Sequence, residues 1–461
     1  MLELFVLAPE AGVAFYFRTA PMKFKSISGS ITSPLGFSAS GIFCDIKKLG
    51  TGKGSNKGQK KDLALILSEK EASVAGLFTT NQVCAAPVKV CVPKAAIGKG
   101  RAIVVNSGNA NACTGKQGMK DAIEMAKVTA SVLGLKESEV FVASTGRIGV
   151  PMPMANVSKG IFLAAQNLGS TPGHGSDAEQ AIMTSDSKPK EIAIEFKLGG
   201  KTVRMGGICK GAGMIQPGMS PTGKRPASIP LHATMLCFIT TDAAISHKLL
   251  KQALNESVAL SFNRITVDGD MSTNDTVLVF ANGMAGNKAI ASTNGADYKA
   301  FLTGLQHVSL ELAKMIVRDG EGVTRFVTVK VSGAKTFADA DAAARSVANS
   351  SLVKTSWFGG DPNWGRILDA LGYSAATIVE EKIDVGYSLP GNSKVLYSLK
   401  KGQPTTASFS ELCKAVAPRE FDLHINLNLG RSRAWMYSAD LTEEYVEFNK
   451  GDVTDPSSLG G

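Results

Sequence analysis

The chain has 461 residues, 44% of them hydrophobic and 20% charged. That balance fits a soluble globular protein with a sizeable core and excludes a disordered or fibrous chain. A net charge of +10 suits a basic enzyme or a protein with an anionic ligand. The lysines, however, are scattered, have few aromatics among them and form no nucleic-acid motif, so nucleic acid is not an expected partner.

The seven cysteines, Cys44, Cys84, Cys91, Cys113, Cys209, Cys237 and Cys413, are odd in number and widely spaced, and the five histidines form no ligand pair. Reduced thiols are expected, not a disulfide framework, and no metal site. No apolar run reaches the length of a membrane span, so no membrane is expected. Residues 1–26 hold two short apolar patches but also Glu3 and Glu10. They read as an N-terminal extension or partial targeting segment over 1–27, not as a secretory signal.

Residues 28–47 alternate polar and apolar positions and read as strands. The glycine-rich, basic stretch 50–61 lacks the Gly-x-x-x-x-Gly-Lys-Ser/Thr pattern and reads as a hairpin loop. Residues 62–67 and 73–79 are two further expected strands. The run 101–105 is a buried strand ending at Asn106-Ser-Gly-Asn-Ala-Asn-Ala112, whose small polar residues suggest a ligand-facing turn. A helix is expected over 116–133. Residues 139–143 are a strand that ends at Ser144-Thr145-Gly146. Helices follow over 153–168 and 176–184, the second running into Thr184, Ser185 and Asp186. Strands 191–195 and 202–206 flank Gly199-Gly200, a hairpin signature. Then comes Lys210-Gly-Ala-Gly-Met214. This strand–turn–helix alternation predicts layered α/β structure.

Residues 218–232 break the texture. They are punctuated by Pro221, Pro226 and Pro230, have no apolar period and read as an inserted loop. Directly after them stand Ala233, Thr234, Met235 and an apolar run, 236–239, that suits a buried strand. A helix over 246–259, a polar loop over 268–276, a strand over 277–280 and a long helix over 297–317 follow. Arg318-Asp-Gly-Glu-Gly322 precedes a strand over 325–331 and a helix over 336–351. Asp361-Pro-Asn-Trp-Gly-Arg366 reads as a packing and turn device. Strands over 422–429 and 433–439 lead into an acidic tail with Asn449 and Thr454.

Thr234 is the candidate nucleophile. A threonine hydroxyl needs an adjacent base, and the nearest one available is its own α-amino group, free only if the chain is cut after Ala233. Such an amine titrates near 7.7–8.0 and can accept a proton close to neutral pH. By itself the segment is weak, since a threonine within a strand is ordinarily structural.

The chain as a whole resembles the ornithine acetyltransferase (glutamate N-acetyltransferase) family of arginine biosynthesis, from about residue 31 to 454. The likeness rests on Asn106–Ala112, Ser144-Thr-Gly146, Ala181-Ile-Met-Thr184, Lys210-Gly-Ala-Gly-Met-Ile215, Ala233-Thr-Met-Leu236 with Thr240-Thr-Asp-Ala243, Val267-Asp-Gly-Asp270, Ser272-Thr-Asn-Asp-Thr276, Arg318–Gly322 and Asp361–Arg366. Each is weak alone; nine in order are specific.

The resemblance implies a layered, self-cleaving α/β acyltransferase fold with a smaller C-terminal α/β lobe. It implies a cut between Ala233 and Thr234 that leaves an alpha chain, 28–233, and a beta chain, 234–461. The two would stay together as a heterodimer and assemble into a heterotetramer. The implied activity moves the acetyl group of N-acetylornithine to glutamate through an acetyl-Thr234 ester, with acetyl-CoA as a further donor in some members and no resident cofactor. Thr145 and Gly146 match the family's oxyanion hole, where loss of one donor costs about 100- to 1000-fold. Thr184, Lys210, Thr234, Glu321, Asn449 and Thr454 match its substrate positions. Lys210 suits a carboxylate and Glu321 an ammonium, although charged residues are more often solvated surface groups. The plant members imply a chloroplast.

Two departures from the pattern stand out. Residues 218–232 replace a two-residue connection just before the bond to be cut, and a long loop there would relax the strain that self-cleavage uses. Asp452 also stands where the family tends to have an aromatic, near Thr454. Two rival readings use the same residues. One is a self-cleaving amidase or aminopeptidase with water as acceptor. The other is an uncleaved, non-catalytic relative disabled by the insertion.

Overall fold

The structure, a computed structural model, describes residues 5–6, 15–16, 24–47, 60–224 and 235–450. The loop 50–61 for the most part, residues 225–232 of the insertion, Ala233, Thr234 and Thr454 lie outside the described residues.

Strands β1 (Phe5–Val6) and β2 (Phe15–Tyr16) pair with each other. The main sheet takes β3 (Lys25–Ile27), β4 (Phe37–Ile42), β5 (Leu63–Phe78), β6 (Lys99–Asn109), β7 (Val140–Arg147), β8 (Glu191–Leu198), β9 (Lys201–Lys210), β10 (Leu236–Thr241) and β11 (Thr276–Ala281). Their order is β3-β8-β9-β10-β11-β5-β6-β7, with β4 paired to β5. β10 runs parallel to β11, and β6 parallel to β7. The helices of this body are α1 (Ala86–Ile97), α2 (Gly115–Leu133), α3 (Met154–Gln166), α4 (Pro172–Ile182), α5 (His247–Leu260) and α6 (Ala296–Arg318).

The alternation of β10 and β11 divides the core. Leu236, Phe238, Leu278 and Phe280 face one cluster with residues of α1–α4; Cys237, Ile239, Val277 and Val279 face a second with residues of α5 and α6. Side chains on a strand point alternately to its two faces, so one apolar run serves both layers. α6 supplies Phe301, Leu305, Val308, Leu312 and Ile316 at helical spacing. The β8–β9 hairpin turns on Gly199 and Gly200, with φ of 52° and 81°, the positive pair of a type I′ turn.

A smaller C-terminal lobe follows. It holds β12 (Phe326–Ala334), α7 (Phe337–Asn349), α8 (Ser351–Phe358), α9 (Trp364–Gly372), β13 (Asp384–Ser388), β14 (Leu396–Lys400), β15 (Gln403–Pro404), α10 (Phe409–Val416), β16 (Glu420–Asn426), β17 (Ser432–Ala439) and α11 (Glu443–Asn449). The strand order is β15-β14-β13-β16-β12-β17, with a core of its own around Trp357, Tyr387 and Phe421. Asn363 caps α9 by accepting the Arg366 N–H at 3.0 Å, which is the task of the Asp361–Arg366 stretch. The layered α/β architecture and the smaller lobe are as the sequence implies.

Some expected elements change. Residues 62–67 and 73–79 are one strand, β5, in which the exposed Glu69, Lys70 and Glu71 carry the chain past a register irregularity against β6. Only 37–42 of the 28–47 stretch is strand. Ser144, Thr145 and Gly146 lie within β7, not in a loop after it. α1 was not anticipated, because Pro87 and Pro93 both fall inside it. The insertion is not loose at its start. Phe78 and Ser220 exchange backbone hydrogen bonds of 2.9 and 3.0 Å, Thr80 Oγ1 donates to the Gly218 carbonyl, and Asn263 Oδ1 accepts the Met219 N–H. Among the described residues no helix is long and apolar enough to cross a membrane.

Candidate active site

Three connections meet beside the start of β10. Asp186, just past α4, is buried and accepts the Thr184 N–H at 2.9 Å and the Gly211 N–H at 2.6 Å. Its carboxylate lies 3.8 Å from Lys210 Nζ and 2.7 Å from Lys190 Nζ. Lys190 also pairs with Asp319 at 2.5 Å. Asp319 further accepts the backbone N–H groups of Ser187 and Lys188. Two carboxylates and two ammonium groups, all buried, therefore tie the Thr184 loop to the end of β9 and to the Arg318–Gly322 loop.

Burial disfavours ionised Asp186, but Lys210 and Lys190 outweigh it and hold the carboxyl well below its ordinary range. Burial also disfavours charged Lys190, and there Asp186 and Asp319 win and raise it. For Lys210 burial prevails, Asp186 offsetting it only in part, so its ammonium is lowered. A lysine held this way is a poised partner for an incoming carboxylate.

The turn after Lys210 brings Glu321 in. The Glu321 N–H donates to the Ala212 carbonyl at 3.0 Å. A Cβ at Gly213 would stand 2.4 Å from Glu321 Oε2, so only glycine leaves the carboxylate its place. Asp268 fastens the same turn by accepting the N–H groups of Met214 and Ile215 at 2.6 and 2.8 Å. Ser185 donates to the Glu321 carboxylate, and Asn449 Nδ2 does so at 2.9 Å. Burial raises Glu321 against these hydrogen bonds. Asn449 reaches it because α11 is seated on Gly322: Thr442 Oγ1 donates to the Gly322 carbonyl, and a Cβ on Gly322 would meet the Tyr445 nitrogen at 2.6 Å.

The other half lies across β10 and β11. Lys210 stands opposite Leu236 in the β9–β10 ladder. Met235 N–H donates to Asp275 Oδ1, and Asn274 Nδ2 donates to the carbonyls of Ala110 and Ser144 at 2.6 and 2.8 Å. Thr145 and Gly146 thus follow a residue that is tied, through Asn274 and Asp275, to Met235. Gly146 has φ of 126°, and a Cβ there would meet the Gly108 carbonyl carbon at 2.4 Å, so β6 and β7 approach closely by virtue of paired glycines. The polar side chains of 106–112 are mostly spent on the fold: Asn106 accepts from Ser144 Oγ and donates to the Asn109 carbonyl, and Asn109 donates to Val150 and Pro151.

The structure therefore brings Thr184, Lys210, Glu321 and Asn449 into one cluster, and links Thr145 and Gly146 to it through the Asn274–Asp275 connection. Ala233, Thr234 and Thr454 lie outside the described residues. Sequence reasoning missed Ser185, Asp186, Lys190, Asp275 and Asp319 as parts of the site. Asp186 and Asp319 stood inside quoted motifs or next to them, but what they pair with is decided by distant segments. Among the described residues no group of three or more His, Cys, Asp or Glu side chains is placed to hold a metal ion.

The chain is 45% identical over 423 residues to the Arginine biosynthesis bifunctional protein ArgJ of Symbiobacterium thermophilum, covering 92% of this chain and 98% of that protein. It is 45% identical over 434 residues to the Glutamate N-acetyltransferase of Methanocaldococcus jannaschii, with 92% and 98% covered. It is 41% identical over 441 residues to the mitochondrial Arginine biosynthesis bifunctional protein ArgJ of Dictyostelium discoideum, with 92% and 94% covered. The family model of ArgJ matches residues 44–452, and on that span the chain belongs to the ArgJ family.

Proposed function

We propose that the chain is a glutamate N-acetyltransferase of arginine biosynthesis that takes its acetyl group from N-acetylornithine. The observation that supports this most is the meeting of Lys210, Glu321, Asn449 and the Thr184 loop beside Met235, the residue that follows Thr234. Lys210 ends β9 and Glu321 is held by Asn449, so a cation and an anion stand on separate supports, which suits an amino acid with a carboxylate at one end and an ammonium at the other.

In this reading the chain is cut before Thr234 and the freed α-amine is the base. The Thr234 hydroxyl attacks the acetyl carbonyl of N-acetylornithine and its proton passes to the amine. Thr145 Oγ1 and the Gly146 N–H hold the oxyanion. The C–N bond then breaks, ornithine leaves with the proton, and the acetyl-Thr234 ester remains. The glutamate amine attacks that ester, giving N-acetylglutamate and free Thr234. Lys210 pairs the substrate carboxylate and Glu321 the side-chain ammonium of ornithine, with Thr184, Asn449 and Thr454 completing the shell. Acetyl-CoA as a second donor belongs to the same reading, as do a heterodimer of 28–233 with 234–461, a heterotetramer built from it, and a plastid as its compartment. β10 lies between β9 and β11 in one sheet, so two pieces cut at 233 would remain joined along full strand ladders.

Intact mass and N-terminal sequencing of the purified chain test this, together with acetyl transfer from N-acetylornithine to glutamate. Two pieces, the second beginning Thr-Met-Leu-Cys, with transfer activity that Thr234→Ala abolishes, are the expected result. A single uncut, inactive species would overturn the reading in favour of an uncleaved relative. Acetate release without glutamate would overturn it in favour of an amidase.

A further inference from the structure

Asp275 immediately precedes β11 and is fully buried, with 0% of its surface exposed. Its Oδ1 accepts the Met235 N–H at 2.5 Å. Its Oδ2 is buried too and has no hydrogen-bond partner among the described residues. The backbone around it is held from both sides: Thr79 N–H donates to the Asp275 carbonyl at 2.9 Å, and Thr276 N–H to the Met235 carbonyl at 3.1 Å. This carboxyl is therefore a fixed group with one oxygen used and one bare. A buried carboxylate in that state is costly. Burial accordingly drives the group well above the usual carboxylate range, with the Met235 N–H and Lys210 opposing. Protonation removes the cost and turns the bare oxygen into a donor.

The position matters because residue 234 is bonded to the nitrogen that Oδ1 holds. Lys210, opposite Leu236 on β9, is the charged group that acts on Asp275.

We propose that Asp275 is a positioning residue for the nucleophile, its Oδ1 holding the Met235 N–H, the nitrogen to which residue 234 is bonded. That bond fixes where β10 begins and so how the nucleophile is presented, first for self-cleavage and then for acetyl transfer. This rests on the reading of Thr234 given above.

Asp275→Asn tests it, because an amide carries one acceptor and one donor in the same shape and cannot ionise. Asp275→Leu and Asp275→Ala carry neither. Each full-length variant is followed for cutting by intact mass, for transfer kinetics, and for folding by thermal melting. The expected result is that Asn cuts and transfers within about 10-fold of wild type. Leu and Ala, still folded, are expected to cut and turn over at least 100-fold more slowly, with KM for N-acetylornithine changed less than about 3-fold. Normal cutting and kcat in Ala or Leu would overturn the proposal. So would an Asn variant slowed as much as they are, which also decides the matter if the apolar variants fail to fold. Thr234→Ala run alongside separates the two ideas. If it is cut and active, the nucleophile reading falls and this proposal with it. If it is inert while Asp275→Ala is normal, only this proposal falls.

Discussion

Asn449 donates to Glu321 across 2.9 Å and 128 residues of sequence. The last helix of the described chain therefore holds a carboxylate that belongs to the loop before β12. If Glu321 pairs the ornithine ammonium, Asn449 sets its orientation. Asn449→Ala should raise KM for N-acetylornithine about 3- to 10-fold, in line with the net worth of a typical hydrogen bond, about 0.5–1.5 kcal/mol, while kcat changes less. Glu321→Gln should raise KM further. Steady-state kinetics at saturating glutamate measure both.

Gly213→Ala should imitate Glu321→Gln. The new methyl would stand where the carboxylate is, and because that carboxylate is the end of a flexible side chain, the chain should fold and the carboxylate move. We expect a melting temperature within a few degrees of wild type together with a KM rise of at least 10-fold, about 1.4 kcal/mol. A normal KM would show that Glu321 does not meet substrate.

Asp186 is bound to two buried lysines, and neutralising it takes the ion pair from Lys210 and leaves Lys190 with Asp319 alone. Asp186→Asn should lose about 3–5 kcal/mol near neutral pH, the usual cost of breaking a buried pair. The sign with pH follows from its lowered carboxyl. Its contribution is present above the unfolded value, about 3.9, and is lost as pH falls through the lower folded value. The gap between wild type and variant in denaturant titrations should therefore close on going from pH 5 downward. On the alkaline side, raised Lys190 contributes below its unfolded value of about 10.4 and loses this as pH rises through the folded one.

Glu179 predicts the opposite behaviour. Its Oε1 accepts the Lys190 N–H at 2.8 Å while its buried Oε2 has no partner among the described residues. Burial pushes it up to about 8. A carboxyl raised in the folded state is fully favourable only below its unfolded value, about 4.3, and costs stability as pH climbs to the folded one. Glu179→Gln should equal wild type or fall slightly below it at pH 4. It should gain on wild type as pH rises, by a few kcal/mol at pH 8 at about 1.4 kcal/mol per unit, and gain nothing further above that. Melting curves from pH 4 to 9 check this.

Part of the site was legible in the motifs. Lys210, Glu321, Thr184 and Asn449 were named from sequence and lie together. Asp186, Lys190 and Asp319 were not named, because a charged residue in a loop reads as a solvated one until its partners are known. The apolar run after Thr234 reads as a buried strand and is one, β10, since a short unbroken hydrophobic run has few other places to go. The charged run Glu69–Glu71 interrupts the apolar pattern of β5, so the sequence shows two strands where the sheet holds one.

What the sequence by itself determined is local or periodic: the Gly199-Gly200 hairpin, the long apolar stripe of α6, the layered α/β character, and the order of motifs that marks the family. What only the tertiary structure decided is which motifs touch. Lys190 comes to Asp186 by way of four residues and to Asp319 by way of 129. Asp275 meets Met235 because β10 and β11 run side by side in the sheet. The physical reason is that hydrogen bonds and buried charges act over a few ångströms in space, whereas spacing along the chain constrains only neighbours on the same helix or strand.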